Sequence, residues 1–254
     1  MGGRTIELKG PDDLARMREA GRVVHEVLEL LARAAQPGET TLELDRLAED
    51  LTRKRKARPA FKGYLGFPCC LCASLNDEVV HGIPSADRVL ADGDLLKLDY
   101  GAVKDGFYGD AAVTVPVGRV SPEARRLAEA TREALQKAID EARPGRRISD
   151  LGAAIQGHVE PRGFSVVREF VGHGIGRALH EAPQVPNYRG GQGPDPRLRE
   201  GMVLAIEPMV NAGGWATRVL QDRWTAVTAD RSLSAHFEHT VAITADGPQI
   251  LTAA

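Results

Sequence analysis

The sequence has little cysteine, no long apolar run and almost no net charge. Its three cysteines, Cys69, Cys70 and Cys72, are too crowded for a disulfide framework and lack the paired spacing of a structural zinc site. The first residues contain neither the apolar core of a signal peptide nor a membrane-spanning stretch. A net charge of −2 gives no global reason to bind nucleic acid or an anionic membrane. These absences predict a cytoplasmic protein with no membrane anchor and no specific nucleic-acid partner.

What the 254 residues do contain is enough apolar sequence to bury a core without disulfides. Asp12 or Asp13 is positioned to cap a first helix, whose apolar residues recur at helical spacing until Pro37-Gly38. Thr40 and Glu43 have the spacing of a capping box and predict the start of a second helix.

Short runs typical of strands follow these two helices. They lie at residues 71–80, 95–99 and 111–117. The order of helices and then strands starts again at Ser121, which precedes proline and a second set of helically spaced apolar residues. The second half of the chain therefore repeats the pattern of the first.

Short matches in the same order predict an internal duplication. We expect a single domain of residues 1–254 whose halves, residues 12–118 and 121–251, face each other across a pseudo-twofold axis. The matches are Pro37-Gly38 with Pro144-Gly145, residues 93–99 with residues 201–207, His81-Gly82-Ile83 with His173-Gly174-Ile175, and Asp110 with Glu238.

Two aspartates flank a predicted hairpin turn. Asp99 and Asp110 lie on either side of Lys104-Asp105-Gly106, so their carboxylates are expected roughly opposite each other. Like charges opposed on a sheet are destabilising, and a cation between them would relieve the repulsion. The alternative is that one aspartate is an ordinary exposed hairpin residue.

The second half adds candidate metal ligands. The duplication aligns Glu207 with Asp99 and Glu238 with Asp110, and His173 in a glycine-rich turn supplies a nitrogen. Four carboxylates and one imidazole carry a formal charge that two divalent ions would balance, with a water or hydroxide bridging them. A solvated glutamate and a packing histidine remain the alternatives.

These residues belong to motifs that closely resemble type I methionine aminopeptidases. The resemblance extends from about Ile6 to Leu251, which is nearly the whole chain. It implies the pita-bread fold of the α+β class, with two α/β halves around a central antiparallel sheet and helices outside. It also implies hydrolytic removal of the initiator methionine from nascent polypeptides. The motifs are His81-Gly82-Ile83-Pro84, Leu98-Asp99-Tyr100-Gly101, residues 105–110, residues 172–176, Ile206-Glu207-Pro208 and residues 230–240.

The resemblance assigns the metal ligands to the same five residues that spacing and duplication bring together. They are Asp99, Asp110, His173, Glu207 and Glu238. It implies two divalent ions, and Co, Mn, Fe and Zn all suit an oxygen-rich site with one imidazole.

Three residues are expected to act on the substrate. The resemblance implies that His81 hydrogen-bonds near the scissile amide and that His180 contacts the substrate carbonyl or the tetrahedral intermediate. As sequence features alone, each is a lone histidine for which packing is the favoured interpretation. In the expected mechanism Glu207 takes a proton from the metal-activated water, which attacks the carbonyl after methionine, while a metal anchors the α-amine.

The resemblance also implies an apolar, polarisable pocket for the methionine side chain. For Phe61 and Leu179 ordinary core packing is an equally good interpretation. Many family members carry Cys at the first of these positions and Phe at the second, so the shape of the pocket here is expected to differ. A small second residue in the substrate is expected, although no residue fixes this preference. The pocket positions are Phe61, Tyr64, Phe67, Cys72, Leu179 and Trp224.

Other interpretations stay open. The run of cations at residues 53–58 is interpreted as a solvated helix end, with weak ribosome association as the alternative. A prolidase or aminopeptidase P would use the same ligands on Xaa-Pro substrates, but such proteins usually carry an extra N-terminal domain. A non-catalytic binding relative is the rival from another class. A short, monomeric protein is expected.

Overall fold

The computed structural model describes residues 5–191 and 193–253. The α-helices are Pro11–Ala34 (α1), Thr41–Lys54 (α2), Pro122–Glu141 (α3) and Ile148–Val159 (α4), and 3-10 turns span Tyr64–Gly66 and Glu160–Arg162. The strands of the first half are Arg58–Pro59 (β1), Leu71–Leu75 (β2), Glu78–Val80 (β3), Leu95–Lys104 (β4) and Phe107–Pro116 (β5). Those of the second half are Ser165–Val166 (β6), Gly172–Gly174 (β7), Glu181–Val185 (β8), Val203–Ile206 (β9), Met209–Asn211 (β10), Thr217–Val219 (β11), Ala226–Thr228 (β12), Ser234–His236 (β13), Glu238–Thr244 (β14) and Gly247–Ile250 (β15).

Two helices begin at the predicted caps. The Glu43 amide donates to Thr40 Oγ1 at 3.1 Å, and the Thr40 amide donates to the Glu43 carboxylate at 2.8 Å. Ser121 Oγ accepts from the Ala124 amide at 3.1 Å at the start of α3. Each of these bonds satisfies an amide that has no partner within the helix.

The predicted cap of α1 is wrong by two or three residues. Gly10 is the N-cap, and Pro11 takes the first helical position. Asp12 and Asp13 lie instead in the first turn, where their charges interact favourably with the helix dipole.

The central feature is an antiparallel sheet. Among the described residues, nine strands form it in the order β1-β4-β5-β14-β9-β7-β8, with β2 added beside β4 and β15 beside β14. β4 and β5 form a long hairpin in continuous register from Leu95 opposite Pro116 to Lys104 opposite Phe107. β14 joins the two halves, because it pairs with β5 on one side and β9 on the other.

Helices cover one face of this sheet in two pairs. Alternate residues of β4, such as Leu96 and Leu98, pack in one core cluster with α1 and α2. Leu204, Val241 and Ile243 pack in a second cluster with α3 and α4. Since side chains alternate between faces along a strand, Asp99 lies on the face opposite the helices. No helix in the described part of the chain is long and apolar enough to cross a membrane.

α1 comes unusually close to its neighbours at one glycine. A Cβ on Gly21 would lie 2.1 Å from the Leu251 carbonyl oxygen, and a Cβ on Gly109 of β5 would lie 3.0 Å from the Gly21 amide nitrogen. The absence of side chains at both positions lets the helix backbone pack directly on the strand and on the C-terminal segment.

Two three-stranded sheets, β13-β10-β6 and β11-β12-β3, flank the central one in the described residues. His81 follows β3 of the second small sheet, whereas His173 lies in β7 of the central sheet. The sequence match between these two histidines therefore does not mark equivalent positions. The internal duplication itself stays a prediction.

Candidate metal centre

Cross-strand register brings two of the candidate ligands into one row. Asp99 of β4 and Glu238 of β14 both pair with Ala112 of β5, from opposite sides. Directly paired residues point to the same face of a sheet. The two carboxylates therefore flank a small alanine side chain on the face that the helices leave uncovered.

The next row supplies two more ligands. Asp110 lies two residues before Ala112, and it exchanges hydrogen bonds with Thr240 of β14. Thr240 pairs with Ala205 of β9, and Ala205 pairs with His173 of β7. Asp110 and His173 thus reach the same face from strands that are far apart in the sequence.

The two hairpin aspartates, predicted roughly opposite each other, are offset by two residues from direct pairing. Asp110 pairs with Gly101, and Asp99 pairs with Ala112, so Asp99 and Asp110 are diagonal neighbours. A Cβ on Gly101 would lie 2.9 Å from the Phe61 ring. The absence of a side chain at Gly101 therefore leaves room for the Phe61 ring beside the carboxylates.

Three of the ligands form a tight cluster. One ligand atom from each of Asp110, His173 and Glu238 lies within 4.8 Å of the others, and all three residues are buried. Glu207 follows β9, and its Oε1 lies 3.6 Å from His173 Nε2. The geometry thus brings all five predicted ligands to one place.

Burial and mutual repulsion raise the pKa of the four carboxyl groups. Burial raises the pKa of Asp99 to about 7. For Asp110, Glu207 and Glu238, burial together with the neighbouring carboxylates raises the pKa well above the ordinary value.

Several oxygens of this cluster have no protein partner. Oδ1 of Asp99, Oδ1 of Asp110 and Oε1 of Glu238 are buried and accept no hydrogen bond from the described residues. Buried carboxylate oxygens without donors are costly unless a cation pairs with them. The residues present therefore fit divalent metal ions.

His173 is held in the form that a metal requires. Its Nδ1 lies 2.9 Å from the Gly174 carbonyl oxygen, so Nδ1 carries the proton and Nε2 keeps its lone pair. Burial lowers the His173 pKa to about 3, which keeps the ring neutral. A neutral imidazole with a free Nε2 is a competent nitrogen ligand.

The cluster forms the floor of a cavity of about 220 Å³. Every residue predicted for the metal site, for substrate contact and for the methionine pocket lines this one cavity. These residues are Phe61, Tyr64, Phe67, Cys72, His81, Asp99, Asp110, His173, Leu179, His180, Glu207, Trp224 and Glu238.

Aromatic and sulfur-containing side chains form the apolar wall. The Phe67 and Trp224 rings meet edge to face at 5.1 Å. Cys72 of β2 pairs directly with Asp99, so the apolar wall and the carboxylate floor meet at this pair. Burial raises the pKa of the Cys72 thiol well above its usual value, and the thiol stays uncharged.

Two histidines stand above the floor. His81 has a left-handed backbone with φ of 61°, and its ring contacts Phe170 edge to face at 5.6 Å. Burial and the nearby His180 lower the His81 pKa to about 4. His180 lies with its ring centroid 4.2 Å from that of His173, and partial burial lowers its pKa. Both rings are neutral near pH 7.

One histidine at the site was not predicted from the sequence. His236 is buried, its Nε2 lies 3.9 Å from Glu207 Oε2, and neither ring nitrogen has a hydrogen-bond partner in the described residues. Burial lowers its pKa to about 3. Its position two residues before Glu238 was the available signal, because such spacing in a strand indicates the same face. Leu65, Val80, Phe170 and Val171 also line the cavity, and as isolated apolar residues they gave no signal.

Comparison with known proteins identifies the family. The model of metallopeptidase family M24 matches residues 15–245. Methionine aminopeptidase 1 of Bacillus subtilis is 52% identical over 97% of this chain and 99% of its own length. The crystal structure of methionine aminopeptidase from Thermotoga maritima has a TM-score of 0.96 and 46% identity, covering 98% of this chain and 100% of that chain.

A more distant structure shares the fold alone. Prolidase from Pyrococcus horikoshii OT3 has a TM-score of 0.78 at 24% identity, covering 96% of this chain and 63% of that chain. The predicted α+β pita-bread fold is thus confirmed by the relatives and by the antiparallel sheet with its outer helices. This chain belongs to metallopeptidase family M24 and, within it, to the type I methionine aminopeptidases.

Proposed function

We propose that this protein hydrolyses the peptide bond after an N-terminal methionine in nascent polypeptides. The observation that carries this proposal is the junction between Cys72 and Asp99. It joins a buried carboxylate and imidazole cluster to an apolar pocket in one cavity. A substrate whose methionine side chain fills the pocket would present its first carbonyl to the ligand cluster.

Two divalent ions are proposed for the cluster, drawn from Co, Mn, Fe and Zn. Four carboxylates and one imidazole suit hard and borderline metals, and the charge of two ions would neutralise them. Asp99, Asp110, His173, Glu207 and Glu238 would hold the ions. Such ions supply Lewis acidity, which lowers the pKa of a water molecule toward neutrality.

The chain's own residues would carry the proton transfers. Glu207 is proposed to accept a proton from the attacking water and to pass it to the departing amine. His180 would donate a hydrogen bond from Nε2 to the carbonyl oxygen as negative charge develops there. His81, fixed by its left-handed backbone and by the Phe170 ring, would hydrogen-bond near the scissile amide.

The wall is proposed to bind the methionine side chain. A thioether gains from contact with aromatic edges and with other sulfur, and Phe67, Trp224 and Cys72 provide both. Phe61, Tyr64 and Leu179 complete the pocket. A preference for a small second residue is proposed as well, as the resemblance to type I methionine aminopeptidases implies. A library of Met-Xaa peptides would measure it, and equal cleavage of Met-Gly and Met-Lys would reject the preference.

The principal experiment measures methionine release from a Met-Ala-Ser peptide. EDTA-treated protein is assayed alone and with Mn, Co, Fe or Zn added singly, beside the Asp99→Asn variant. Release that depends on metal and is lost in the variant supports the proposal. Cleavage of an Ala-Pro peptide in preference to Met-Ala-Ser would point to a prolidase. No release by folded protein with any metal would favour a non-catalytic binding protein.

A second experiment separates catalysis from metal binding. His180→Ala is expected to lower turnover strongly while the bound metal stays near two ions per chain, because His180 contacts the substrate and holds no metal. An unchanged rate would contradict the role proposed for His180.

Weak ribosome association is proposed only for the basic run at residues 53–58. Arg53 forms an ion pair with Asp50 at 2.7 Å, and Arg55 pairs with Glu26 at 2.6 Å. These partners neutralise part of the run and fit the solvated helix end. Co-sedimentation with ribosomes that is unaffected when Lys54 and Lys56 are neutralised would count against the contact.

A monomer acting in the cytoplasm is proposed as the working form. The proposed metal ligands, the two substrate histidines and the pocket residues of this chain converge on one cavity. The proposed substrates begin in the cytoplasm, where polypeptides are made. Light scattering of the metal-loaded protein tests the oligomeric state.

A further inference from the structure

The loop between β7 and β8 presents two residues to the cavity. Leu179 is buried in the pocket wall, and the next residue, His180, is exposed at the rim. Within the loop the Gly176 amide donates to the Ala178 carbonyl at 3.1 Å. The conformation of this short loop therefore decides where the His180 ring lies.

One carboxylate ties the two ends of the loop together. Glu181, the first residue of β8, accepts at Oε1 from the Arg177 amide at 2.7 Å and from the Ala178 amide at 3.0 Å. By accepting from two consecutive amides, the Glu181 side chain acts as an internal cap for the turn. Its other oxygen, Oε2, is left to pair elsewhere.

That oxygen pairs with a lysine from the opposite end of the chain. Lys9, in the segment before α1, places Nζ 2.5 Å from Glu181 Oε2, and only 1% of the Lys9 side chain is exposed. The Lys9 amide donates to the Gly201 carbonyl at 2.7 Å, which fixes the segment beside β9. The ammonium is therefore delivered from a backbone that is itself anchored.

The loop is shaped to admit this lysine. A Cβ on Gly176 would lie 2.2 Å from Lys9 Cε, so only glycine leaves room for the lysine stem. The Gly176 carbonyl accepts from the Tyr108 amide at 2.9 Å, which holds the glycine against β5. A buried charge is tolerated when an opposite charge lies beside it, and Lys9 and Glu181 neutralise each other here.

A second, exposed contact joins the same two segments. Arg177 of the loop pairs with Asp13 at 3.0 Å and with Glu7 at 3.6 Å, and its guanidinium lies 4.5 Å from the centroid of the Phe107 ring. Exposed pairs contribute little, so the buried Lys9 contact dominates.

We propose that Lys9 is a positioning residue for His180. Its ammonium holds Glu181, Glu181 holds the turn, and the turn sets the His180 ring over the metal cluster. This inference rests on the proposed function, in which His180 donates to the substrate carbonyl. Removal of the ammonium leaves a carboxylate that is mostly buried and unpaired, and the loop must shift to hydrate it.

The test is a double-mutant cycle on the metal-loaded enzyme with Met-Ala-Ser as substrate. Lys9→Met is expected to lower kcat roughly 10-fold with a smaller change in KM, the scale of outer-shell partners. In a His180→Ala background the same substitution is expected to add nothing, because the group through which Lys9 acts is gone. Lys137→Met, which removes an exposed lysine of α3, is the matched control and is expected to match the wild type.

A spectroscopic measurement accompanies the kinetics. In zinc-loaded protein labelled with ¹⁵N-histidine, Lys9→Met is expected to shift the His180 ring signals and to leave those of His25 unchanged. The His180 signals are assigned by their loss in His180→Ala. A purely structural role would lower stability without moving these signals selectively.

A second variant keeps the proposal testable if Lys9→Met folds poorly. The double variant Lys9→Met/Glu181→Gln buries no unpaired charge, and its amide oxygen still accepts from the Arg177 and Ala178 amides. It is expected to fold and still to lose kcat, because a neutral amide at position 181 has no ammonium to anchor it and the turn that it caps is held less firmly. Wild-type kcat in folded protein of either variant, or an equal loss in the His180→Ala background, would overturn the role of Lys9. An inactive wild-type enzyme would instead remove the proposed function.

Discussion

The Tyr64 hydroxyl lies 2.7 Å from Nδ1 of His180, across the mouth of the cavity. The two rings are 5.3 Å apart and tilted by 35°. A neutral imidazole that accepts at Nδ1 carries its proton on Nε2. The role proposed for His180 needs that proton, so Tyr64 holds the ring in the tautomer that can donate to a carbonyl.

The variant Tyr64→Phe is therefore expected to lower kcat by about 10-fold. The phenylalanine ring keeps the apolar contact with the methionine side chain, so KM should change little. Steady-state kinetics on Met-Ala-Ser measure both constants. A rise in KM without a fall in kcat would mean that Tyr64 contributes only to binding the methionine side chain.

Metal-free protein is expected to lose stability as the pH rises from about 6.5 to 8. Burial raises the Asp99 pKa to about 7, and the other three carboxyl groups are shifted in the same direction. In the unfolded chain these groups ionise near pH 4, so across this window the folded state holds more protons and the free energy of unfolding falls as pH rises.

Buried histidines act with the opposite sign, but at lower pH. Burial lowers the pKa values of His81 and His173 to about 4 and about 3. Below roughly pH 6.5 histidine in the unfolded chain takes up a proton and these two do not, so the free energy of unfolding falls as the pH falls. Thermal unfolding of EDTA-treated protein from pH 6.5 to 8.5 measures the carboxylate effect. Glu238→Gln should flatten the slope, and added metal should reverse it, because ligands bind metal deprotonated. A Tm that rises with pH without metal would contradict this account.

The pocket variant Phe61→Ala is expected to weaken the selection for methionine. Removal of a buried ring enlarges the cavity on the side where Phe61 faces Gly101, so bulkier first residues gain access. A change of a few methylene groups in an apolar pocket alters selectivity by roughly 10-fold to 200-fold. The ratio of kcat/KM for Met-Ala-Ser and Phe-Ala-Ser measures it, and an unchanged ratio would favour core packing for Phe61.

The variant Gly21→Ala should lower stability without altering the metal site. Its Cβ would lie 2.1 Å from the Leu251 carbonyl oxygen, and backbone cannot move aside as a side chain can. Overpacking of this kind costs about 3 kcal/mol. Urea unfolding measures the loss, and metal stoichiometry should stay the same. Gly157→Ala in α4, where no atom lies within 4 Å of the added Cβ, is the control.

The helix starts and the ligand-bearing hairpin were predictable because their residues carry local signals. The capping box of Thr40 and Glu43 uses bonds within one turn, and the structure forms both. The turn signal before Phe107 fixed a hairpin, since turn chemistry acts on adjacent residues. The register of this hairpin differs from the predicted one by two residues, so Asp99 and Asp110 are diagonal neighbours and not a direct pair.

His236 and Lys9 show where such reasoning ends. The two-residue spacing from Glu238 indicates the face on which His236 lies, but no local feature indicates that its ring approaches Glu207. Lys9 meets Glu181 across 172 positions of the chain, a contact that no periodicity encodes. Both depend on how segments that are distant in the sequence pack together.

The sequence by itself determined the residue types, the local helices and hairpin, and a set of motifs specific enough to indicate the family. The carboxylates and histidines in those motifs are side chains that can bind metal ions and transfer protons. Only the tertiary structure decided which side chains meet: Ala112 between Asp99 and Glu238, Tyr64 on His180, and Lys9 beneath the His180 loop. The physical reason is that cross-strand register and buried ion pairing are set by the packing of the whole sheet, and local sequence does not record it.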